Sequence, residues 1–369
     1  MPLSSIRLSA WRNLADGEIP LGAERVFLVG ENGQGKTNLL EAVYYLSYGS
    51  SFRGMVDAQI ARRGETAFAA EARVLGGLLA PQALSEKISV LWKDRVKEIR
   101  REGKILRDRK ELIDLNPAVV YCHDDFSFAS GEPERRRFFF DQTAGLGSLG
   151  YIDTLRDYRK ILSQRNSALR EGRTSILEVL DLQLAAKGLE LVRERSTLAA
   201  DFAAPFAAIF EEVARLGFEV GLRYMPNWKD CLGASVEDIA GRLAEKRREE
   251  LLMKTSLSGP HRDRWAFVAE GRDFSATAST GQLRLLSLVL RSSQAKYFSS
   301  KTGRAPLLLL DDVLLELDPE RRRRFFATLP ASSQAIFTFL PGEEWEDYRS
   351  ASTLVYRVLD GRFARQGGQ

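Results

Sequence analysis

The feature that most constrains this chain is a distance along its sequence. Gly30-Glu31-Asn32-Gly33-Gln34-Gly35-Lys36-Thr37 fits the pattern G-x-x-x-x-G-K-[ST], a glycine-rich turn whose backbone N–H groups can converge on phosphate oxygens. Leu307-Leu308-Leu309-Leu310-Asp311-Asp312 is an apolar run ending in two carboxylates, the pattern of a buried strand that carries acids to a nucleotide-bound metal. Lys36 and Asp311 lie 275 positions apart (311 − 36). A compact domain can join two halves of one site across that gap only if something large is inserted between them.

Local context supports the phosphate-loop reading. Arg25-Val26-Phe27-Leu28-Val29 runs into Gly30 as a buried strand would, and Leu39, Leu40, Val43 and Leu46 then recur at helical spacing. On this reading Gly30, Glu31, Asn32, Gly33, Gln34 and Gly35 wrap the phosphates of ATP. Lys36 bridges the β- and γ-phosphates, and the Thr37 hydroxyl ligates Mg²⁺. Asp311 is expected to hold Mg²⁺ through a water, while Asp312 orients or deprotonates the attacking water. Lys36 and Asp312 are thus the expected catalytic residues.

Gly281 lies thirty positions before Asp311 (311 − 281), within Ala278-Ser279-Thr280-Gly281-Gln282-Leu283-Arg284 at the start of a helical pattern. Ser279 can be a plain N-cap. Alternatively Ser279, Gly281 and Gln282 grip the γ-phosphate of a nucleotide bound to a second copy, using free N–H groups and the positive end of the helix dipole. The spacing to the acidic strand favours the second reading.

Elsewhere the pattern divides in three. Residues 3–30, Thr66 to Ile105 and Ala118 to Cys122 read as strands. Between about Glu134 and Leu216 helical periodicity dominates, with Tyr151, Leu155, Tyr158 and Leu162 on one stripe and Leu198, Phe202, Phe206, Ile209 and Val213 on another. A break at Glu171 to Ser175 lets two helices of roughly 30–40 residues fold back on each other, an arm of about 50 Å at most. Strand Phe218–Tyr224, helix Val236–Lys254, strand Trp265–Val268, helix Gln282–Phe298, strand Leu307–Leu310, a helix from Pro319 and strand Ala335–Phe339 follow. The expected organisation is an α/β head built from both chain ends, residues 1–130 and 218–369, with an inserted helical domain at 131–217.

Composition narrows the class. With 54 basic and 50 acidic residues the formal charge is +4, which permits a nucleic-acid partner without requiring one. Arg135 to Arg137, Lys246 to Arg248 and Arg321 to Arg324 suit DNA phosphates, yet each also reads as a solvated helix face. Cys122, Cys231, His123 and His261 show no metal-ligand spacing. The N-terminal stretch lacks a signal-peptide pattern, and no run of about 18 apolar residues occurs, so a cytoplasmic protein without a membrane partner is expected.

Taken in order, these segments resemble the RecF family of ABC/SMC-like P-loop ATPases over essentially the whole chain. Trp11-Arg12-Asn13-Leu14 is similar to that family's turn after the first strand, which implies that Arg12 and Asn13 sit at the nucleotide, Arg12 near phosphate. Glu31 to Ala42 resembles its extended phosphate loop, Gly259-Pro260-His261-Arg262-Asp263 a further typical segment, and Asp311 to Asp318 its acidic strand and the D-loop Glu316-Leu317-Asp318. Arg264 replaces a usual second acid, Cys122-His123-Asp124-Asp125 replaces a usual Ser-Pro-Glu-Asp, and no Q-loop glutamine is evident between Tyr121 and Glu134.

The resemblance implies a weak, DNA-stimulated ATPase of recombinational repair and replication. It would close as an ATP-sandwiched homodimer on gapped or junction-bearing duplex and recruit RecR-like and RecO-like mediators. An ABC-transporter energy subunit is the alternative from another class. It normally keeps its motifs in one compact domain and carries a switch histidine where Thr338 stands here. A RecN-type or long-armed SMC protein would need a longer arm. A nuclease would need an added domain, and only about fifty residues follow Asp318.

Overall fold

The structure is a computed structural model in which residues 2–74, 86–314 and 317–366 are described. The chain forms two compact units, one made of Met1–Asp125 with Phe298–Gln369 and the other of Phe126–Tyr297.

In the first unit a six-stranded sheet runs in the order Arg362–Gln366, Thr353–Leu359, Arg25–Val29, Gln334–Phe339, Leu307–Leu310, Ala118–Tyr121. All neighbours are parallel except the terminal hairpin of Thr353–Leu359 with Arg362–Gln366. Continuous apolar runs such as Leu307–Leu310 and Ala118–Tyr121 are buried at every position, as expected of parallel strands covered on both faces. Leu310 pairs with Phe337 and Val29 with Phe339, so both motif-bearing strands end at the same edge of the sheet. This register closes the 275-residue gap, because ligands of such sheets bind beyond the carboxyl ends of the strands.

A second, antiparallel sheet has the order Gly17–Pro20, Leu3–Ser9, Ala67–Val74, Glu86–Lys93, Val96–Arg101, Lys104–Ile105. Its strands alternate buried and exposed residues, with one face turned to the core. The helix Lys36–Tyr48 shares that core with both sheets: Leu39, Leu40 and Val43 cluster with Ile88 and Val90 on one side and Leu309 and Ile336 on the other. The terminal hairpin was not anticipated from sequence. Within the expected D-loop, Glu316 falls outside the described residues, as does the adjoining Leu315.

The second unit is built on helices Pro133–Gly147, Leu149–Glu171 and Leu177–Ala214. Gly172, at φ 67°, closes the second helix in a left-handed conformation that glycine adopts without strain. The last helix has 38 residues and spans roughly 57 Å. Its expected partner of similar length is instead two helices, because Ser148 takes extended geometry and caps a new start, its Oγ accepting from Tyr151 N.

The boundary expected at residue 217 needs correction: residues 218–297 belong to this second unit. Among the described residues, strands Gly221–Met225, Arg264–Ala269 and Arg272–Asp273 pair only with one another, in a three-stranded antiparallel sheet. Trp265 stacks on Phe140 at 3.9 Å and Phe267 packs on Phe206 at 5.7 Å, so the sheet completes the core of the helices. The C-terminal part of the head is residues 298–369. The single helix expected at Val236–Lys254 is also two, Val236–Glu245 and Arg247–Met253.

Candidate functional site

The phosphate loop opens onto a cavity of about 690 Å³ in the first unit, within the roughly 300–1,000 Å³ of small-ligand sites. Glu31, Asn32, Gly33, Gly35, Lys36 and Thr37 line it, with Asp312. Gly33 and Gly35 take φ of 79° and 110°, which let the backbone curl around the space. Lys36 is buried, and its Nζ donates to the carbonyl oxygens of Gly30 (2.6 Å) and Glu31 (3.2 Å). The ammonium is therefore held inside the loop by neutral acceptors, ready to meet an anion.

Thr37 Oγ1 donates to Asp311 Oδ1 at 2.7 Å, joining the two motifs directly. Burial pushes the Asp311 carboxyl up to about 6, with the Thr37 hydrogen bond opposing and the charge of Asp312 adding to the rise. The hydroxyl and carboxylate form a pair of hard oxygen donors suited to Mg²⁺.

Asp312 adopts φ 51°, and Thr338 explains how that left-handed turn is held. Thr338 Oγ1 accepts from Asp312 N at 2.8 Å and donates to Asp312 Oδ1 at 2.7 Å. Where the sequence comparison with transporters marked a missing histidine, the threonine clamps the second acid from both ends.

The turn at Trp11–Leu14 supplies the next wall. Trp11 is fully buried edge-on to Tyr45 and Phe68 and anchors the turn. Arg12, at φ 47°, makes a bidentate pair with buried Glu41 (2.9 Å to each oxygen) and donates to Gln59 O at 2.9 Å. Ser51 also hydrogen-bonds Glu41. Asn13 Nδ2 donates to Gly33 O (3.0 Å), and Asn13 Oδ1 accepts from Asn38 Nδ2 (2.7 Å). Arg12 and Asn13 both line the cavity.

Asp311 does not line it itself, and neither do two residues of the expected phosphate loop. Gly30 is packed against the strand beside it, where a Cβ would come within 2.4 Å of Val358 O. Gln34 turns its side chain to the terminal hairpin, accepting from Asp360 N at 2.6 Å. Arg53, Arg62 and Arg63, which no motif singled out, do line it. Arg53 reaches Asn38 Oδ1 (3.2 Å) and Arg62 reaches Leu14 O (2.6 Å). Five basic side chains thus border the cavity against two acidic ones, a balance that fits a polyphosphate.

Ser279, Gly281 and Gln282 lie in the second unit, at the start of helix Thr280–Thr302. Ser279 Oγ accepts from Gln282 N (3.3 Å) while Gln282 Oε1 accepts from Ser279 N (2.7 Å), a reciprocal capping box. A Cβ on Gly281 would meet nothing within 4 Å, so this helix start is open to approach.

The Gly259–Asp263 segment is a structural node. Buried Asp263 accepts from Arg195 Nη1 (2.7 Å), Tyr224 Oη (2.5 Å) and Asn227 N (2.8 Å), and Arg195 also binds Asp141 (2.8 Å). Tyr158 Oη lies 2.7 Å from His261 Nδ1, and burial lowers the His261 pKa to about 4. Several clustered arginines are likewise engaged. Arg136 and Arg137 donate to the carbonyls of Trp265 and Asp263, Arg247 pairs with Asp181, and Arg322 donates to Leu314 O and Leu317 O.

Known proteins resemble this chain over most of its length. The model of the RecF/RecN/SMC N terminal domain matches residues 2–357. The DNA replication and repair protein RecF of Treponema pallidum (strain Nichols) is 40% identical over 95% of this chain and 97% of its own length. The chain belongs to the RecF family. RecF of Moorella thermoacetica is 34% identical over 84% of this chain and 82% of its own. A solved structure of the recombination mediator protein RecF with ATP, in the RecFOR pathway, superposes with TM-score 0.87 at 25% identity, covering 99% of this chain and 98% of that one. The Smc head domain of Pyrococcus furiosus shares the fold alone, with TM-score 0.59 at 15% identity, covering 99% of this chain and 96% of that one.

The ABC/SMC-like ATPase fold and the RecF assignment therefore replace the transporter-subunit alternative. Among the described residues no helix is long and apolar enough to cross a membrane.

Proposed function

We propose that this RecF-family chain binds and slowly hydrolyses Mg²⁺–ATP, in a manner stimulated by DNA. In this reading it closes as an ATP-sandwiched homodimer on gapped or junction-bearing duplex in the cytoplasm. Closure recruits RecR-like and RecO-like mediators for recombinational repair and replication. The observation that carries the proposal is the meeting of Lys36 and Thr37 with Asp312 at one cavity, from opposite ends of the chain, with Asp311 hydrogen-bonded to Thr37 beside it.

Lys36 would leave its two loop carbonyls for the β- and γ-phosphates. Thr37 and Asp311 would hold Mg²⁺, which supplies charge neutralisation at the phosphate oxygens. Asp312, fixed by Thr338, would orient the attacking water and accept its proton. Arg12, locked by Glu41, retains N–H groups beyond its three hydrogen bonds with which to meet phosphate. Ser279, Gly281 and Gln282 would cover the γ-phosphate of a second copy, which their open helix start permits.

The DNA partner rests on family membership. The engaged arginines argue against the sequence clusters acting as whole contact patches. Titration of labelled gapped duplex at several salt concentrations, with ATP, ADP or no nucleotide, tests the reading. Affinity should be high with ATP, fall steeply as salt rises, and be lost after hydrolysis. Asp312→Asn should retain DNA longer. Affinity indifferent to nucleotide would overturn the proposal.

A further inference from the structure

The terminal hairpin touches the phosphate loop at the one residue whose side chain turns away from the cavity. Asp360 (φ 47°) and Gly361 (φ 71°) form its two-residue tip, between Leu359 and its cross-strand partner Arg362. An Asp-Gly pair with both φ values positive is the favoured short turn between twisted antiparallel strands. The tip uses its backbone to grip Gln34 at two points. Asp360 N donates to Gln34 Oε1 at 2.6 Å and Gly361 N donates to Gln34 O at 2.9 Å.

The second bond has a directional consequence. A trans peptide places its C=O and N–H on opposite sides. The carbonyl of Gln34 points at the hairpin, so the N–H of Gly35 in the same plane points away from it, and Gly35 itself lines the cavity. Gln34 itself sits between the two glycines with positive φ, the softest part of the loop.

The tip is seated rigidly. Gly361 O accepts from Ala15 N at 2.9 Å, and a Cβ on Gly361 would lie 2.0 Å from Asn13 O, a backbone atom with no freedom to yield. Asn13 in turn holds Gly33 O. The hairpin and the Trp11–Leu14 turn therefore grip the loop together.

We propose that the Asp360–Gly361 turn and Gln34 form a brace that aims the Gly35 N–H at a bound phosphate, which makes Gln34 a positioning residue and not a nucleotide contact. The proposal rests on the ATP-site reading above. Without the brace the loop samples other peptide orientations, and phosphate binding selects the aimed one at a cost in affinity.

The test measures ATP affinity and turnover, beside urea midpoints, for wild type, Lys36→Ala, Gln34→Met, Gln34→Glu, Gly361→Ala and the Gln34→Met/Gly361→Ala double variant. Gln34→Met keeps length and loses the acceptor, and ATP affinity should fall roughly fivefold to tenfold, the scale of one hydrogen bond. Gln34→Glu keeps the acceptor and should bind ATP better than Gln34→Met. A Gln34 that touched phosphate itself would give the reverse order, because the new carboxylate would repel it. Gly361→Ala should lose at least as much affinity as Gln34→Met, and the double variant should be no worse than Gly361→Ala alone.

Additive losses, or lowered urea midpoints with wild-type ATP affinity, would overturn the brace. If Gly361→Ala does not fold, the order of the two Gln34 variants decides alone. Wild-type protein as indifferent to ATP as Lys36→Ala would instead overturn the site reading beneath it.

Discussion

The phosphate loop of the first unit and the capped helix start of the second both carry nucleotide motifs legible in sequence, yet they differ in what surrounds them. Around the loop, Lys36, Thr37, Asp311 and Asp312 are held by specific partners and all but Asp311 line one cavity. At the helix start, the side chains of Ser279 and Gln282 cap each other's backbone N–H. The difference teaches what one chain can reveal: a residue whose ligand is gripped within its own chain has supporting geometry to read, whereas one expected to act on a second copy shows only how it is stored. The Gly259–Asp263 segment is a third case, a family motif whose residues are consumed by the interior.

If that third case is structural, its central cation should matter to folding and not to nucleotide. Arg195→Met would leave the carboxylates of Asp141 and Asp263 without the buried cation they share, at a cost of about 3–5 kcal/mol. Urea unfolding should show this loss, while the fraction still folded binds ATP as wild type does. A stable Arg195→Met protein that failed to bind ATP would break the distinction between the regions.

Lys36→Ala sharpens the comparison from the other side. Removing the one ammonium inside the loop should slow hydrolysis by about 10²–10³ and leave the urea midpoint close to wild type, because its present partners are neutral carbonyls. Steady-state turnover unchanged in Lys36→Ala would remove the phosphate-loop assignment.

A smaller effect tests the node by pH. His261 is held neutral, its folded pKa near 4 against about 6.5 unfolded, so the unfolded chain binds more protons between those values. Stability is full above pH 6.5 and is lost as pH falls toward 4, by about 2 kcal/mol at pH 5. His261→Gln should lack that share of the slope when urea midpoints at pH 7.5 and pH 5 are compared with wild type. Parallel slopes would mean that His261 titrates in the fold as it does in water.

Much of this was legible because short motifs with strict backbone demands leave strict spacing. The phosphate loop, the Leu307–Asp312 strand and their reunion across an insertion follow from sequence, and the parallel register supplies the reason. The boundary at 217 failed because strands Gly221–Met225 and Arg264–Ala269 look like any others until their pairing is known. The turn of the Gln34 side chain toward the hairpin was not legible, because a motif names positions in a loop without saying which way a side chain turns.

The hairpin that receives Gln34 went unread although Asp360-Gly361 follows an apolar run, and nothing in that pattern says what its tip touches. Arg53, Arg62 and Arg63 belong to no motif and reach the cavity only through the folding of the segment after Gly49. The arginine clusters read either as DNA-facing or as solvated helix faces, and sequence could not show that several of their side chains donate to carbonyl oxygens of the fold.

The claim on which the account turns is that the Ser279 helix start completes the nucleotide site of a second copy. Mixing Lys36→Ala with Ser279→Arg chains and measuring ATP hydrolysis tests it most directly. In the mixed dimer the intact loop of the Ser279→Arg chain faces the intact helix start of the Lys36→Ala chain. The account predicts that neither variant alone hydrolyses ATP at the wild-type rate, that Ser279→Arg still binds ATP as a monomer, and that the mixture recovers activity through that one intact site. Full activity of Ser279→Arg alone, or a mixture as inactive as its components, would contradict it.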